Sequence, residues 1–353
     1  MNKLKELTKK PLFLPIFSMI LVMCINVFFD IAAGNEAFNF FEISIKNGVL
    51  YGRLIDILNR GSEAAILAIG MTLVVSSSGG TDISVGSVMS LTGGMCCMLL
   101  AGYGVTNVSE YANPLWVGLL GGLAVALLCG IFNGFLVAYM NIQPMVATLI
   151  LWSAGRAIGL LLCNSQIVYI RVPSFQFFGS YFGIIPTPIV ITVVCVAVAS
   201  LVLKKTALET YIQSVGINKK ASRISGINSS KIILLCYAVC GLCAGIAGIV
   251  ATSRIYSADT NNIGLDMELD AILAVALGGN SLGGGKFNLA GSIIGAYTIQ
   301  AITTTLYALG VSSAEAPVFK AIVVILIVII QAAPVKEFFK KMSAKKAEVK
   351  EVA

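Results

Sequence analysis

Polar side chains interrupt several long apolar runs of this chain, and they are its best candidates for chemistry. Such residues are costly in lipid, so they favour functional hypotheses. Residues 76–86, SSSGGTDISVG, break one apolar run, and Thr81 or Asp82 is expected to cap the helix that follows. A broken helix exposes backbone groups that can hold a polar ligand or line a cavity. A short hairpin in which Asp82 only caps a helix explains the pattern equally well.

A second polar set lies between residues 133 and 156. Asn133 precedes a glycine and fits a close helix crossing, with its amide hydrogen-bonded to a neighbour. Arg156 falls near the middle of an apolar run, so it must face the bundle or water. Residues of these types are more often structural than ligand-binding, but together they predict a hydrated interior. The candidates for a substrate path are Asp82, Ser84, Asn133, Gln143, Thr148 and Arg156. Glu268 and Asp270 could equally be rim residues near the outer end of a span.

Several other chemistries are disfavoured. The chain has no histidine, which removes histidine-dependent catalysis and histidine metal ligands. Its nine cysteines lie in apolar runs, where Cys236, Cys240 and Cys243 are interpreted as small packing residues beside glycines. The glycine-rich residues 278–287 fail the phosphate-loop pattern because Asn280 replaces its first glycine and Phe287 its Ser/Thr. We therefore expect a tight turn there, and no catalytic residue, metal or cofactor.

Composition places these residues in a membrane protein. The 353 residues are 57% hydrophobic and 12% charged, against about 25% charged in soluble domains. Apolar runs near the ~20 residues that span a bilayer recur along the chain. The fold class is therefore all-α, a polytopic transmembrane helical bundle. Ten spans are predicted, at residues 12–29, 61–78, 82–102, 114–140, 144–163, 187–203, 231–252, 268–282, 287–309 and 318–333.

Basic residues predict which side each loop occupies. They concentrate in an N-terminal tail (1–11), in residues 204–231, here called the basic segment, and in a C-terminal tail (334–353). The net charge of +7 follows the positive-inside rule rather than a nucleic-acid groove. Both termini are then cytoplasmic around a transmembrane domain of residues 12–333. No nucleic-acid partner is expected, and membrane lipid surrounds the domain.

The basic segment reads KKTALETYIQSVGINKKASRISGINSSK. Asn218 can cap a helix from Lys219 to Ser225, and Gly226 can supply its left-handed end. Gly216 is expected to permit the bend before that helix. A solvated loop held on the cytoplasmic side by its charges would explain the lysines. It would not explain why a capping Asn218 and a helix-ending Gly226 bracket the segment.

Four stretches closely resemble the permease subunits of bacterial ABC sugar importers of the ribose-type branch: GGTDISVGSVMSL, GIFNGFLVAYMNIQPMVATLILWSAGR, SVGINKKASRISGI and LDAILAVALGGNSLGGGKFNLAGSIIGA. The likeness covers about residues 54–331, and finer features look most like galactofuranose permeases. The resemblance implies a helix that couples to a cytoplasmic ABC ATPase. Its residues would be Gly216, Asn218, Lys219, Lys220, Ala221, Arg223 and Gly226. Glu209 and Ser222 depart from the family's usual glycine and alanine.

The resemblance further implies alternating-access import of a monosaccharide across the bacterial inner membrane, powered by the ATPase subunit. The other implied partners are a periplasmic or lipid-anchored sugar-binding protein and a second permease, either the same chain or a related one. The permease itself would perform no covalent chemistry and would not be an enzyme. An ion-coupled secondary transporter is the main alternative, but it expects a titratable relay that the core lacks. An integral membrane enzyme would need a clustered catalytic set.

Overall fold

The computed structural model describes residues 12–32, 39–46, 48–312 and 314–331. The predicted terminal tails lie outside these residues. The chain forms two compact units, residues 1–301 and residues 302–353. The described part is predominantly α-helical, as composition predicts.

The helices follow the predicted order of apolar runs. They are α1 (Phe13–Ala32), α2 (Arg53–Ser78), α3 (Val85–Ala101), α4 (Leu115–Ala138), α5 (Pro144–Leu162), α6 (Pro173–Gln176), α7 (Thr187–Lys205), α8 (Leu208–Ile217), α9 (Lys219–Ile224), α10 (Ser229–Arg254), α11 (Met267–Leu277), α12 (Leu289–Ala308) and α13 (Ala316–Gln331). Six of these described helices, α2, α4, α5, α7, α10 and α12, are long and apolar enough to cross a membrane.

Some of the loops that connect the helices contain short β-strands that pair with one another. They are β1 (Ser44–Lys46), β2 (Val49–Tyr51), β3 (Asn107–Val108), β4 (Val168–Ile170), β5 (Tyr181–Phe182), β6 (Ile185–Pro186) and β7 (Ser257–Ala258). β1 pairs antiparallel with β2, and β5 with β6. β4 is the centre of a three-stranded sheet, parallel to β3 and antiparallel to β7. That sheet ties the connections after α3, α5 and α10 together.

Two predicted helix bounds are wrong. α2 begins at Arg53 rather than residue 61, because tertiary contacts satisfy its polar first turns. Arg53 pairs with Asp30 of α1 at 2.8 Å, and Arg254 of α10 donates to the Asn59 carbonyl at 2.8 Å. α11 stops at Leu277 rather than residue 282, since the following glycines turn the chain.

Small residues let α10 pack closely at the centre of the first unit. A Cβ on Gly130 of α4 would overlap the Tyr237 carbonyl oxygen, and one on Gly70 of α2 would come within 2.7 Å of the Cys240 Cα. Such contacts need small side chains, as in other transmembrane helix pairs. Tyr237 and Cys240 are themselves fully buried. Together with the Asn59–Arg254 contact to α2 and a Gly134–Leu234 contact to α4, these positions show α10 antiparallel to both helices. Cys236 and Cys243 are buried as well, which supports the packing interpretation of the α10 cysteines.

The second unit contains the end of α12 and the whole of α13. Gly310, at φ +78°, turns the chain after α12. The Glu315 carboxylate accepts a hydrogen bond from the Ser312 N–H at 3.3 Å, just before α13 begins.

Candidate functional site

Asp82, Ser84 and Asn133 form a buried hydrogen-bonded cluster, here called the polar centre. Asp82 Oδ1 accepts from the Ser84 N–H at 2.9 Å and from the Ser84 hydroxyl at 2.7 Å. Asn133 Nδ2 donates to Ser84 Oγ at 2.8 Å. All three residues are at most 2% exposed. The structure therefore brings together three of the six candidates for the substrate path, and the predicted amide contact of Asn133 is confirmed.

The predicted cap of α3 is wrong. The residue before α3 is Ser84, not Thr81 or Asp82, and its side chain forms no capping bond. Asp82 instead bonds two residues along, which is a local turn that short acidic side chains favour. Gly80 allows the chain to approach α5, because a Cβ there would lie 2.6 Å from Pro144. This break is therefore packed tightly against its neighbours.

The path candidates Thr148 and Gln143, in α5 and just before it, differ in their contacts with the polar centre. Thr148 is buried, and its hydroxyl accepts from the Ile83 N–H at 3.2 Å, so it fixes α5 to the break. Gln143 is exposed and precedes α5, where its carbonyl accepts from the Ala147 N–H. Its described contacts do not include the polar centre.

Arg156 holds an irregular segment, residues 259–266, between β7 and α11. Its Nη1 donates to the carbonyl oxygens of Thr260 (2.9 Å), Asn261 (2.6 Å) and Ile263 (3.2 Å). Ser90 of α3 donates to the same Thr260 carbonyl at 2.6 Å. Arg156 thus faces the bundle, as its position in an apolar run predicts. A cationic donor that serves several carbonyls forms strong bonds, so the segment is firmly positioned.

The interpretation of Glu268 as a rim residue is wrong. It is 7% exposed and accepts from the Trp152 indole N–H at 2.9 Å. Sequence reasoning missed this pair because its members are far apart in the chain. The available signal was the spacing of Trp152 and Arg156, since residues four apart share a helix face.

The basic segment contains the two short helices α8 and α9. Asn218 separates them, and its side chain accepts from the N–H groups of Lys220 (3.0 Å) and Ala221 (3.1 Å). α9 begins at Lys219, and Gly226 follows its end at φ +84°. The predicted cap and left-handed glycine therefore match the structure. Burial, and then the charge of Arg223, lower the pKa of Lys219. An acidic group brought near Lys219 would offset this effect.

Large apolar side chains are exposed on this otherwise polar segment. Ile224 is 89% exposed and Ile217 is 74% exposed. Sequence reasoning missed both, although Ile224 has only Ser222, Arg223, Ser225 and Gly226 as its nearest neighbours in the chain. Arg223 is tethered, since it donates to Ser230 at 2.9 Å. Exposed apolar groups rimmed by polar ones are typical of interaction surfaces.

Gly216 does not serve a bend, as the sequence suggested, because it lies inside α8. Its role is close approach: a Cβ there would overlap the Ser76 carbonyl oxygen at the end of α2 and come within 2.5 Å of the Gly285 nitrogen. Gly285 N–H itself donates to that Ser76 oxygen at 3.0 Å. These three residues, here called the glycine junction, join the basic segment to α2 and to the glycine-rich turn.

The two departures from the family pattern have local structural partners. Glu209 accepts from the Gln213 amide at 3.2 Å in the first turn of α8. Ser222 is buried, and its hydroxyl donates to the Asn218 carbonyl at 2.9 Å. Both side chains are compatible with the short helices that they occupy.

The glycine-rich residues 278–287 form the predicted turn between α11 and α12. Gly279 and Gly284 have positive φ angles, and the Asn280 side chain accepts from the Asn288 N–H at 2.6 Å. Asn280 also donates to Ser292 at 2.8 Å. Its amide thus closes the turn.

Comparison with known proteins decides the class. A family model described as "Branched-chain amino acid transport system / permease component" matches residues 53–331. The chain belongs to this permease family. The match includes the polar centre, the basic segment and the glycine junction, so all of them are parts of the permease proper. The chain is a transport component and not an enzyme.

Several curated relatives of this permease are sugar permeases. The galactofuranose transporter permease protein YtfT of Escherichia coli (strain K12) is 44% identical over 295 residues, 83% of each chain. The fructose import permease protein FruF of Bifidobacterium longum (strain NCC 2705) is 37% identical over 360 residues, covering 100% of this chain and 97% of its own. The ribose import permease protein RbsC of Escherichia coli (strain K12) is 36% identical, covering 83% of this chain and 87% of its own. No solved structure matches the chain.

Proposed function

We propose that this permease is the transmembrane subunit of an ATP-binding-cassette importer that carries a monosaccharide across the bacterial inner membrane. The support is the agreement of relatives named for galactofuranose, fructose and ribose, each covering more than four fifths of the chain. Galactofuranose is the first sugar to test, because its permease shares 44% identity.

The proposed topology has ten spans with both termini in the cytoplasm. The spans would be α1 to α5, α7 and α10 to α13. The contacts support alternation within the first unit. Gly248 of α10 packs on Met89 of α3 and Gly93 of α3 on Thr252 of α10, so these two helices run parallel. Gly295 of α12 packs on Ala274 of α11, and Gly278 just after α11 packs on Ser292, so α11 and α12 run antiparallel. At 1.5 Å per residue the 11 residues of α11 extend about 16 Å. The irregular residues 259–266 would complete that crossing.

One observation carries the ATPase assignment: the basic segment presents the capped helix α9, with Ile224 exposed at its end and Ile217 exposed at the end of α8. In the proposed topology this segment lies in the cytoplasm, next to a nucleotide-binding partner. The apolar side chains would bury themselves in a groove, and Lys219, Lys220 and Arg223 would meet acidic residues at its edge.

The glycine junction gives the ATPase a mechanical route to the polar centre. Movement of α8 acts directly on the Ser76 carbonyl at the end of α2, because their backbones touch at Gly216. The break that follows carries Asp82 and Ser84, which bond to Asn133 of α4. Closure of the ATPase pair would thus change the packing between α2 and α4, which is a rigid-body route to alternating access.

The remaining partners follow from this function. A periplasmic or lipid-anchored binding protein would deliver the sugar to the outer face. A second permease, identical or related, would complete the path, and lipid would surround the apolar helices. The six path candidates would act through hydrogen bonds to sugar hydroxyls. Asp82, Ser84, Asn133 and Thr148 would do so only when the bundle opens, since they are buried here.

The test is reconstitution of the chain with the ATPase and binding protein encoded beside it. We expect uptake of radiolabelled galactofuranose, ribose or fructose that requires hydrolysable ATP. Ile224→Asp should reduce uptake and ATPase stimulation together, because it places a charge on the exposed surface of the basic segment. Leu161→Asn, on α5, is the control, because it leaves that surface unchanged. Uptake that follows a proton or sodium gradient without the ATPase would instead establish the ion-coupled alternative.

A further inference from the structure

Residues 259–266 are non-helical backbone that lies beside the first half of α3 and beside Arg156 of α5, a helix of membrane-spanning length. The Thr260 carbonyl accepts from Ser90, in the second turn of α3. Further along, Gly264 packs against the backbone of Gly86 at the start of α3. Irregular backbone at this depth is tolerated only where protein covers it or where it lines a water-filled cavity.

Protein covers one side of this segment, and the other side is mostly polar. Ile263 and Gly264 are buried. Asn261, Asn262 and Asp266 are exposed, and Leu265 is exposed between them. Two amides and a carboxylate would be costly against lipid at this depth. The exposed side of the segment therefore faces water in the assembled membrane protein.

Trp152 continues this surface on α5. It is 44% exposed, and it lies near the middle of the 19-residue helix, about 12 Å from its start and about 15 Å from its end. Trp116, 63% exposed in the first turn of α4, has instead the position expected of an interfacial aromatic residue. The Glu268 carboxylate accepts a hydrogen bond from the Trp152 indole N–H. One edge of the ring is therefore fixed in place, while one side of the ring stays exposed.

We propose that Trp152, Asn261, Asn262 and Asp266 form a sugar-contact surface along the translocation path. This proposal rests on the proposed sugar permease function. A monosaccharide has an apolar C–H face that suits an aromatic ring, and a rim of hydroxyls that suits amides and carboxylates. Arg156 is a positioning residue, since its bonds hold the segment at the level of Trp152.

Thiol labelling tests whether this surface faces water, independently of any sugar. Asn262→Cys and Leu161→Cys are each introduced into a Cys24→Ser background, with the complete transporter in membrane vesicles. Leu161 is 72% exposed on the apolar outer side of α5. A charged maleimide should label Asn262→Cys at least tenfold faster than Leu161→Cys. Equal, slow labelling of both would overturn the proposal.

Transport kinetics test the aromatic platform. Trp152→Ala should lower the maximal uptake rate at least tenfold, whereas Trp152→Phe should retain most of it because a ring remains. A merely structural role through the Glu268 hydrogen bond predicts that Phe fails as badly as Ala, since both lose the indole N–H. Trp116→Ala is the matched control and should transport normally.

The two failures are distinguishable. If the unmodified transporter carries none of the three sugars, the sugar function is wrong, while fast labelling of Asn262→Cys still supports an aqueous path for another solute. If the unmodified transporter carries sugar and Trp152→Ala matches its rate, the contact surface is wrong and the permease function stands.

Discussion

Gly216→Ala tests whether the glycine junction transmits movement between the basic segment and the bundle. The added Cβ would lie 2.5 Å from the Gly285 nitrogen and 3.0 Å from the Ser76 carbonyl carbon. Both neighbours are backbone atoms, which cannot rotate away. An ordinary contact would need about 3.5 Å, so α8 must move by at least about 1 Å, because the Ser76 carbonyl oxygen lies closer still.

Gly216→Ala should destabilise the folded permease. Overpacking costs about 1 to 3 kcal/mol, and losing the 3.0 Å bond from Gly285 N–H to Ser76 adds about 1 kcal/mol. Alanine returns up to about 1 kcal/mol through its better helix propensity. The net destabilisation is therefore about 1 to 3 kcal/mol, in a helix where glycine-to-alanine normally stabilises.

The assay compares Gly216→Ala with Gly283→Ala in the reconstituted transporter. A Cβ on Gly283 would meet only Ser281 Oγ, at 3.7 Å. Gly216→Ala should lower ATP-driven uptake at least tenfold and reduce the fraction of permease that survives heating, whereas the control should do neither. If both variants transport alike, α8 does not act through this contact and the reasoning is refuted.

Three further contacts yield predictions. Asn218→Ala removes the acceptor of two backbone N–H groups and should cost about 1 kcal/mol of helix stability; uptake should fall, and Asn218→Asp should retain it. Gly226→Pro cannot adopt φ +84° and should abolish uptake with the protein still in the membrane; Gly226→Asn, which tolerates this region, is the control. Arg254→Ala leaves the half-buried Glu63 without the cation 3.3 Å away and should cost about 2 to 3 kcal/mol, measured by heat survival. Adding Glu63→Gln should restore part of that loss, and no recovery would show that the pair is not coupled.

Local sequence signals predicted part of the local structure, although the cap of α3 and the bend at Gly216 were wrong. The cap at Asn218 and the left-handed Gly226 are contained in a few consecutive residues, so no distant contact was needed to find them. The glycine-rich turn was also predictable from the sequence. Residues 278–287 do not fit the phosphate-loop pattern, so their glycines indicate only a turn. The start of α2 was missed because its polar turns are satisfied by Asp30 and Arg254, from other helices.

The sequence by itself determined the membrane class, the order of the helices and the basic segment, since hydropathy, charge and capping act over one helix length. Tertiary structure alone decided which polar residues meet. Asp82 and Asn133 share a centre, whereas Gln143 stays outside it. Glu268 became a buried partner of Trp152 rather than a rim residue. These outcomes depend on how close α3, α4, α5 and α11 approach, which glycine contacts set between residues far apart in the chain.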